Sequence, residues 1–329
     1  MVKYLLLRIA NYAVLLFIAV SLAWVLAQTQ LHPRQLFEVR NPPLAPQSIE
    51  NILRAANVSD HVPLWDRYVT WLRGVFLHWD WGTSPGGGDV GDEIGRRIWV
   101  SFRLVTIGWL LGTFIGVTLG AWSAVRQYRI SDRVVTALVL ILVATPSYVT
   151  GEVSKMVATV INKQVGFQLF LFLGEKSTGT LPNYPLADVV DRVQHMVLPT
   201  LVLTLLGLAG LQRLQRGLML DALGSDFVRT ARAKGLRENK AVMKHALRTA
   251  LIPTGTYFAF QAATLFVGAT YTERIFAFQG MGIYGVDTIS TQNINGVVAV
   301  TAFGGLCYLV GAILADLMVA FLDPRVRLS

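Results

Sequence analysis

The chain has 329 residues, of which 53% are hydrophobic and 15% charged, and its mean hydropathy is +0.50. So few charges exclude an ordinary soluble domain and indicate a membrane protein. The formal net charge is +9; in a membrane protein this reflects Lys and Arg held on the cytoplasmic side rather than nucleic-acid binding. The single cysteine, Cys307, excludes an intrachain disulfide framework and a cysteine metal site.

In chain order, six apolar stretches reach the roughly 20 residues that a bilayer core demands. The first is near 9–28 ("IANYAVLLFIAVSLAWVLAQ"). Its length predicts an uncleaved helix rather than a signal peptide, despite a small-x-small hint at "SLAW". Residues 29–98 follow as a long loop of mixed charge. Within it, "LWDRYVTWLRGVFLHW" (64–79) predicts an amphipathic helix whose Trp and Tyr suit a membrane interface, and "GTSPGGGD" predicts a flexible turn. A spacer and a docking surface are both open readings of this loop.

The second and third stretches lie near 103–124 and 134–152, separated by Arg126, Arg129 and Arg133. Glu152 and Lys155 interrupt the outer end of the third. They are spaced to pair on one helical face, either at a path through the membrane or at the outer surface if the span stops near 151. The fourth, fifth and sixth stretches lie near 196–219, 251–271 and 297–321. Lys3 and Arg8, the many cations between the fourth and fifth stretches, and Arg325 and Arg327 put both termini and the 220–250 loop in the cytoplasm. The 29–98 loop then faces outward. The expected organisation is an N-terminal segment and first span (1–28), an extracytoplasmic loop (29–98) and a core (99–329) that includes a cytoplasmic loop at 222–253.

That cytoplasmic loop reads "SDFVRTARAKGLRENKAVMKHALRTALIP". Ser225 or Asp226 is the candidate N-cap of a short helix "FVRTARAK", which Gly235 ends in a left-handed conformation. A second helix starts near Glu238, with Val242/Met243, Ala246/Leu247 and Ala250/Leu251 recurring every four residues. Lys240, Lys244 and Arg248 recur on another face, and Pro253 marks entry into the fifth span. Such a basic element suits anionic lipid or a docking partner. No nucleic-acid reader motif accompanies its charges.

These residues carry a family resemblance. Asp226–Leu236 ("DFVRTARAKGL") and His245–Pro253 ("HALRTALIP") resemble the so-called EAA loop of ABC-transporter permease subunits, in the form seen in the dipeptide/oligopeptide/nickel family. "HMVLPTLVLTLLGLAGLQRLQRGLMLDAL", "TERIFAFQGMGIYGVDTI", "VPLWDRYVTWLRGVFLHWDWGTS" and "FLDPRVR" resemble further segments of that family. Gln279-Gly280-Met281-Gly282 stands where Pro-Gly-Leu-Gly is usual. The resemblance weakens in 29–60 and 151–192, which bear on substrate and binding-protein details.

The resemblance implies an all-α polytopic membrane protein with about six transmembrane helices, of the type I ABC importer permease fold, with both termini inside. It implies a second homologous permease subunit, two cytoplasmic ATPase subunits, an extracytoplasmic substrate-binding protein and membrane lipid as partners, and no nucleic acid. No phosphate-binding G-x-x-x-x-G-K-S/T loop occurs in the chain. The chain is thus expected to bind no cofactor or metal itself and to be no enzyme, with ATP and Mg on the partner ATPases. The expected coupling residues are Asp226, Arg229, Thr230, Ala231, Arg232, Lys234, Gly235 and Leu236. Here Ala231, Ala233 and Gly235 would allow close approach, Leu236 would offer an apolar knob, and the cations would meet acidic groups. Gln261, Thr264 and Tyr271 on the fifth span, with Glu152, are the candidates for the path.

The expected function is half of a translocation path for di- or oligopeptides in a bacterial-type inner membrane. A nickel or other small-solute importer of the same family is the near alternative. An ion-coupled secondary transporter would want central acidic residues, and only Glu152 fits. An intramembrane hydrolase built on Ser84 lacks a histidine partner. His195 and His245, at helix boundaries, are read as structural.

Overall fold

The computed structural model describes residues 2–38, 44–179 and 186–322, with side chains described except at 2–5, 259–260, 262–268 and 319–322. The helices are α1 (Val2–Gln30), α2 (Gln35–Glu38), α3 (Pro46–Ala55), α4 (Leu64–Arg73), α5 (Val90–Val125), α6 (Ile130–Ala144), α7 (Ser147–Val165) and α8 (Ala187–Gly224). They continue with α9 (Asp226–Ala233), α10 (Glu238–Ala241), α11 (Leu247–Gly268), α12 (Thr270–Ile275), α13 (Met281–Ser290) and α14 (Ile294–Leu322). Among the described residues there is no strand, only a bridge between Thr83 and Asp89. A chain in lipid must satisfy each backbone group internally, and helices do so within one segment.

Among the described residues four helices, α1, α5, α8 and α14, are long and apolar enough to cross a membrane. Helices α6 and α7 make a fifth span if taken together, although they bend by 110°. The third apolar stretch is therefore not one helix from 134 to 152. Pro146 has no N–H to give, and it holds Thr145 extended (φ −85°, ψ 124°), so the helix stops at Ala144 and restarts at Ser147. Glu152 and Lys155 thus sit inside α7. The fifth stretch is helical to Gly268, and Pro253 lies within α11 rather than at its start. The proposed DPR terminus lies outside the described residues apart from its first apolar positions.

The chain divides into two compact units. The first comprises Met1–Ser101, Phe266–Thr270 and Gln279–Val310. Its core is aromatic: Trp24 of α1 is fully buried, with ring centroids 5.2 Å from Tyr68 and 6.0 Å from Trp71. Helix α4 thus turns Tyr68 and Trp71 inward, while Trp65, Phe76, Leu77 and Trp79 remain exposed. The interfacial character read for 64–79 belongs to those four and to Leu64, not to Tyr68 and Trp71. Arg67 donates to Gln28 Oε1 at 2.5 Å, and Asn57 Nδ2 donates to the Arg67 carbonyl at 2.8 Å, so α1 and α4 also share polar bonds. Outside this core, Glu50 accepts from Ser59 (2.6 Å), Arg54 (2.7 Å) and Arg34 (2.8 Å). Ser59, Arg54 and Arg34 hold its carboxyl down to about 2 from an ordinary 4.5.

The second unit comprises Phe102–Leu265, Tyr271–Phe278 and Gly311–Ser329. It is organised by α5 against α8. Gly108, Gly112, Gly116 and Gly120 form a stripe on α5, one every four residues. A Cβ at Gly112 would lie 2.9 Å from the Thr204 carbonyl oxygen, and one at Gly120 would lie 2.7 Å from that of Gln212. The two backbones therefore meet directly, as small residues permit in membrane helix pairs. Asp132, at the start of α6, accepts two bonds from Arg216 of α8: Nε at 2.9 Å and Nη2 at 2.8 Å. Ser123 Oγ (2.7 Å) and the Tyr128 N–H (3.1 Å) also donate to this buried carboxylate. The short basic turn after α5 is thereby tied to both neighbouring helices.

Candidate functional site

The cytoplasmic loop folds as a compact element of unit two. Ser225 is extended (φ −75°, ψ 151°) and occupies the N-cap position of α9, but its hydroxyl donates backward to the Ala222 carbonyl rather than capping the helix. Asp226 in the first turn supplies the negative charge that favours a helix N-terminus. At the other end Gly235 adopts φ +85°, as its position predicts. Its N–H donates to the Arg232 carbonyl at 2.9 Å, and that of Leu236 donates to the Ala231 carbonyl at 3.2 Å. This paired pattern is a Schellman termination, and it brings Leu236 over Ala231.

Two of the expected contact residues face inward. Ala231 is buried, and Leu236 packs on the same cluster, which contains Ala124, Met219, Ala222, Val228, Ala241, Val242, Ala246 and Ala250. The small residue and the apolar knob read as partner contacts are taken up by the loop's own core. The outward face is different: Asp226, Arg229, Thr230, Arg232, Ala233, Lys234 and Gly235 are all exposed. Across this face the only internal ion pair among the described residues is Arg232 with Glu238, at 4.0 Å. Arg229 and Lys234 have none. The geometry is a cationic ridge on a rigid base.

The base continues into α11 through one wide turn at Val242–Ala246. A spacing of four overshoots a 3.6-residue turn, so Val242, Ala246 and Ala250 would drift off one face of a regular helix. The wide turn takes up the excess, and all three are buried. Met243, paired with Val242 in the sequence pattern, is exposed instead.

The candidate path residues lie on three helices, α7, α11 and α12. Glu152 pairs with Lys155 at 3.1 Å, and the Glu152 side chain is 52% exposed. Lys155 Nζ also donates to the Ile275 carbonyl at 3.3 Å. Gln261 Nε2 donates to Tyr257 Oη at 2.7 Å, one turn back along α11. Tyr271 is 61% exposed and belongs to α12, beyond the break that ends α11, not to the fifth span. The Thr264 side chain lies outside the described residues. Sequence reasoning missed the interior polar groups of unit two. Gln215 Oε1 accepts from Thr254 Oγ1, Trp109 stacks on Phe258 at 4.0 Å, and neither amide atom of buried Gln212 has a partner among the described residues. Two glutamines within an apolar run were the available signal.

His195 is buried in α8, its Nδ1 2.8 Å from the Asp191 carbonyl. Among the described residues Glu50, Asp60 and His61 bring potential metal-ligating atoms within 4.8 Å of one another. Glu50 is already saturated by Ser59 and two arginines, and Asp60 is paired with Arg34 at 2.6 Å, so this group is an ion-pair network.

Comparison with known proteins gives the family. Residues 116–328 match the binding-protein-dependent transport system inner membrane component family. The chain is 44% identical, over the full length of both proteins, to the oligopeptide transport system permease protein OppB of Mycobacterium tuberculosis. It is 33% identical over the full length of both to the dipeptide transport system permease protein DppB of Lactococcus lactis. It is 30% identical to the DppB of Escherichia coli, covering 80% of this chain and 81% of that one. These relatives are named as permease proteins, not enzymes. With its apolar helices and its basic loop, the chain belongs to the family of binding-protein-dependent transport system inner membrane components.

Proposed function

We propose that this chain is a permease subunit of an ATP-driven importer of di- or oligopeptides in a bacterial cytoplasmic membrane. It would form half of the path with a second, homologous permease subunit. The end-to-end identity to proteins named for oligopeptide and dipeptide transport carries this reading. The loop supports its mechanical part. A coupling element must transmit motion without yielding, and α9 is fixed to α8 and α11 by a shared apolar core. Its free face is basic, which suits an acidic groove on each ATPase partner. An extracytoplasmic binding protein would deliver the peptide, and six spans with both termini inside would fit the charge distribution.

Coupling requires one element whose two states both ends bias. In this proposal ATP-driven closure of the ATPases moves α9, and the rigid base passes the motion into α8 and α11. The path would draw on Gln261, Thr264 and Glu152, and on the interior Gln212 and Gln215. The deciding experiment is co-expression with the neighbouring permease and ATPase subunits, reconstitution in liposomes, and uptake of labelled tripeptide with and without ATP. Uptake that needs ATP and the binding protein is expected. Uptake of nickel but of no peptide would move the substrate to the alternative, and uptake driven by an ion gradient with the chain alone would sink the importer reading.

A further inference from the structure

We propose that unit two carries a receiving pocket for the C-terminal residue of a peptide, with the carboxylate at Lys163, the amide N–H at His195 Nε2 and an apolar side chain among Phe167, Phe170 and Phe172. This rests on the peptide reading above.

The pocket is a cavity of about 550 Å³ between the end of α7, the segment after it and α8. That volume lies in the range of small-molecule sites. Its wall is preformed. Gly166 at φ +80° ends α7 and turns the chain back. Asn162 then clamps the returning segment: its Nδ2 donates to the Phe170 carbonyl at 2.9 Å, and its Oδ1 accepts from the Phe170 N–H at 3.0 Å.

His195 is the informative group. Its side chain is 4% exposed, yet it lines the cavity. A carbonyl oxygen can only accept, so the 2.8 Å contact to the Asp191 carbonyl places the proton on Nδ1. Asp191 is itself held by Ser177, whose Oγ and N–H donate to its carboxylate at 2.6 and 2.8 Å; one carboxylate oxygen lies 3.7 Å from Nδ1. The ring is thereby held in one orientation, and Nε2, which is an acceptor in the neutral tautomer, has no partner among the described residues. On the cavity wall Nε2 is within reach of a ligand's N–H donor.

The other lining groups narrow the ligand. Lys163 is the one cation on the lining and makes no ion pair among the described residues. The rest of the wall is largely apolar, with three phenylalanines. A ligand that offers one N–H donor, one anion and one apolar side chain fits this lining, and a peptide's C-terminal residue carries all three. The free N-terminus would set an ammonium against Lys163 and is disfavoured. A metal ion would find a single imidazole and no carboxylate.

The test uses the full chain in detergent and the photoreactive tripeptide Ala-Ala-benzoylphenylalanine, as free acid and as C-terminal amide, with adducts mapped by mass spectrometry. The acid is expected to label residues 159–173, and the amide about tenfold less, since a charge-assisted bond is lost. Lys163→Met should reduce acid labelling by a similar factor. Lys163 is exposed, so this variant tests binding rather than folding. His195→Phe should also lose labelling, while His195→Gln, which keeps an acceptor, should retain most of it. Equal labelling by acid and amide, labelling elsewhere, or indifference to Lys163→Met overturns the pocket. Uptake of peptides by the reconstituted complex alongside any of those results would defeat the pocket alone. Failure of the complex to take up any peptide, acid or amide, would defeat the peptide reading and the pocket with it.

Discussion

At Gly235 the backbone decides what the side chain may be. Its φ of +85° is open to glycine and, at some cost, to asparagine, and nothing surrounds the position within 4 Å. Gly235→Val is therefore expected to destabilise the end of α9 by about 1–2 kcal/mol and to uncouple ATP hydrolysis from uptake. Gly235→Asn should keep most of both, and the ratio of uptake to hydrolysis in liposomes reads the difference. Glu50 offers a second test at this scale. Its folded pKa lies below its ordinary value, so its contribution is fully present above pH 4.5 and is lost as pH falls through about 2. Hydrogen exchange across residues 46–61 should quicken over that window, and Glu50→Gln should remove the pH step. Gly235 was legible in sequence because a left-handed helix end has a residue signature. Glu50 was not: Arg34, Arg54 and Ser59 meet it only through the fold of the outer segment.

Among the elements, the α5–α8 pair depends on what is missing from one face. Gly116→Leu should prevent that close approach: even a Cβ there would come within 2.9 Å of Leu211 Cβ and 3.0 Å of the Leu208 carbonyl oxygen. The smaller Gly116→Ala should cost about 1–3 kcal/mol by overpacking. Gly210→Ala on α8, where nothing lies within 4 Å, should be neutral by comparison. Melting of the detergent-solubilised chain, followed by size-exclusion fluorescence, separates the three. The loop teaches a related lesson. Its helix–Gly–helix plan and apolar spacing of four could be read from the sequence, whereas the inward aim of Ala231 and Leu236 could not. A short amphipathic helix has two exposable faces, and only the partners supplied by α5, α8 and α11 select between them. The split of α6 from α7 was available from Thr145-Pro146, and the apolar run across it concealed the break.

On the scale of the whole molecule, net charge and hydropathy carried the membrane assignment, and a run of family-like segments carried the rest. Charges that read as a simple cytoplasmic bias divide into two kinds in the structure. Arg229 and Lys234 stand free on the ridge, while Arg216 is consumed by Asp132. Reversing the first kind (Arg229→Glu with Lys234→Glu) should leave the melting of the isolated chain within about 0.5 kcal/mol, as exposed surface substitutions do. Copurification of an ATPase should nevertheless be lost. Asp132→Asn should behave oppositely. Removing one partner of a buried ion pair costs about 3–5 kcal/mol, so the isolated chain itself should melt early, with no selective effect on the ATPase.

The bond between Asp132 and Arg216 spans 84 positions of sequence. A ribosome working at about 5–20 residues per second needs on the order of ten seconds to make that interval. For that time the α5–α6 hairpin stands in the membrane or its surface with its carboxylate held by Ser123, Thr136 and the Tyr128 N–H, without the arginine. The arrival of α8 delivers the arginine and the backbone face for the glycine stripe on one helix. Biogenesis of this chain therefore has a late closing step. A protein truncated before Arg216 would be expected to remain a substrate for membrane quality control, however well its earlier helices insert.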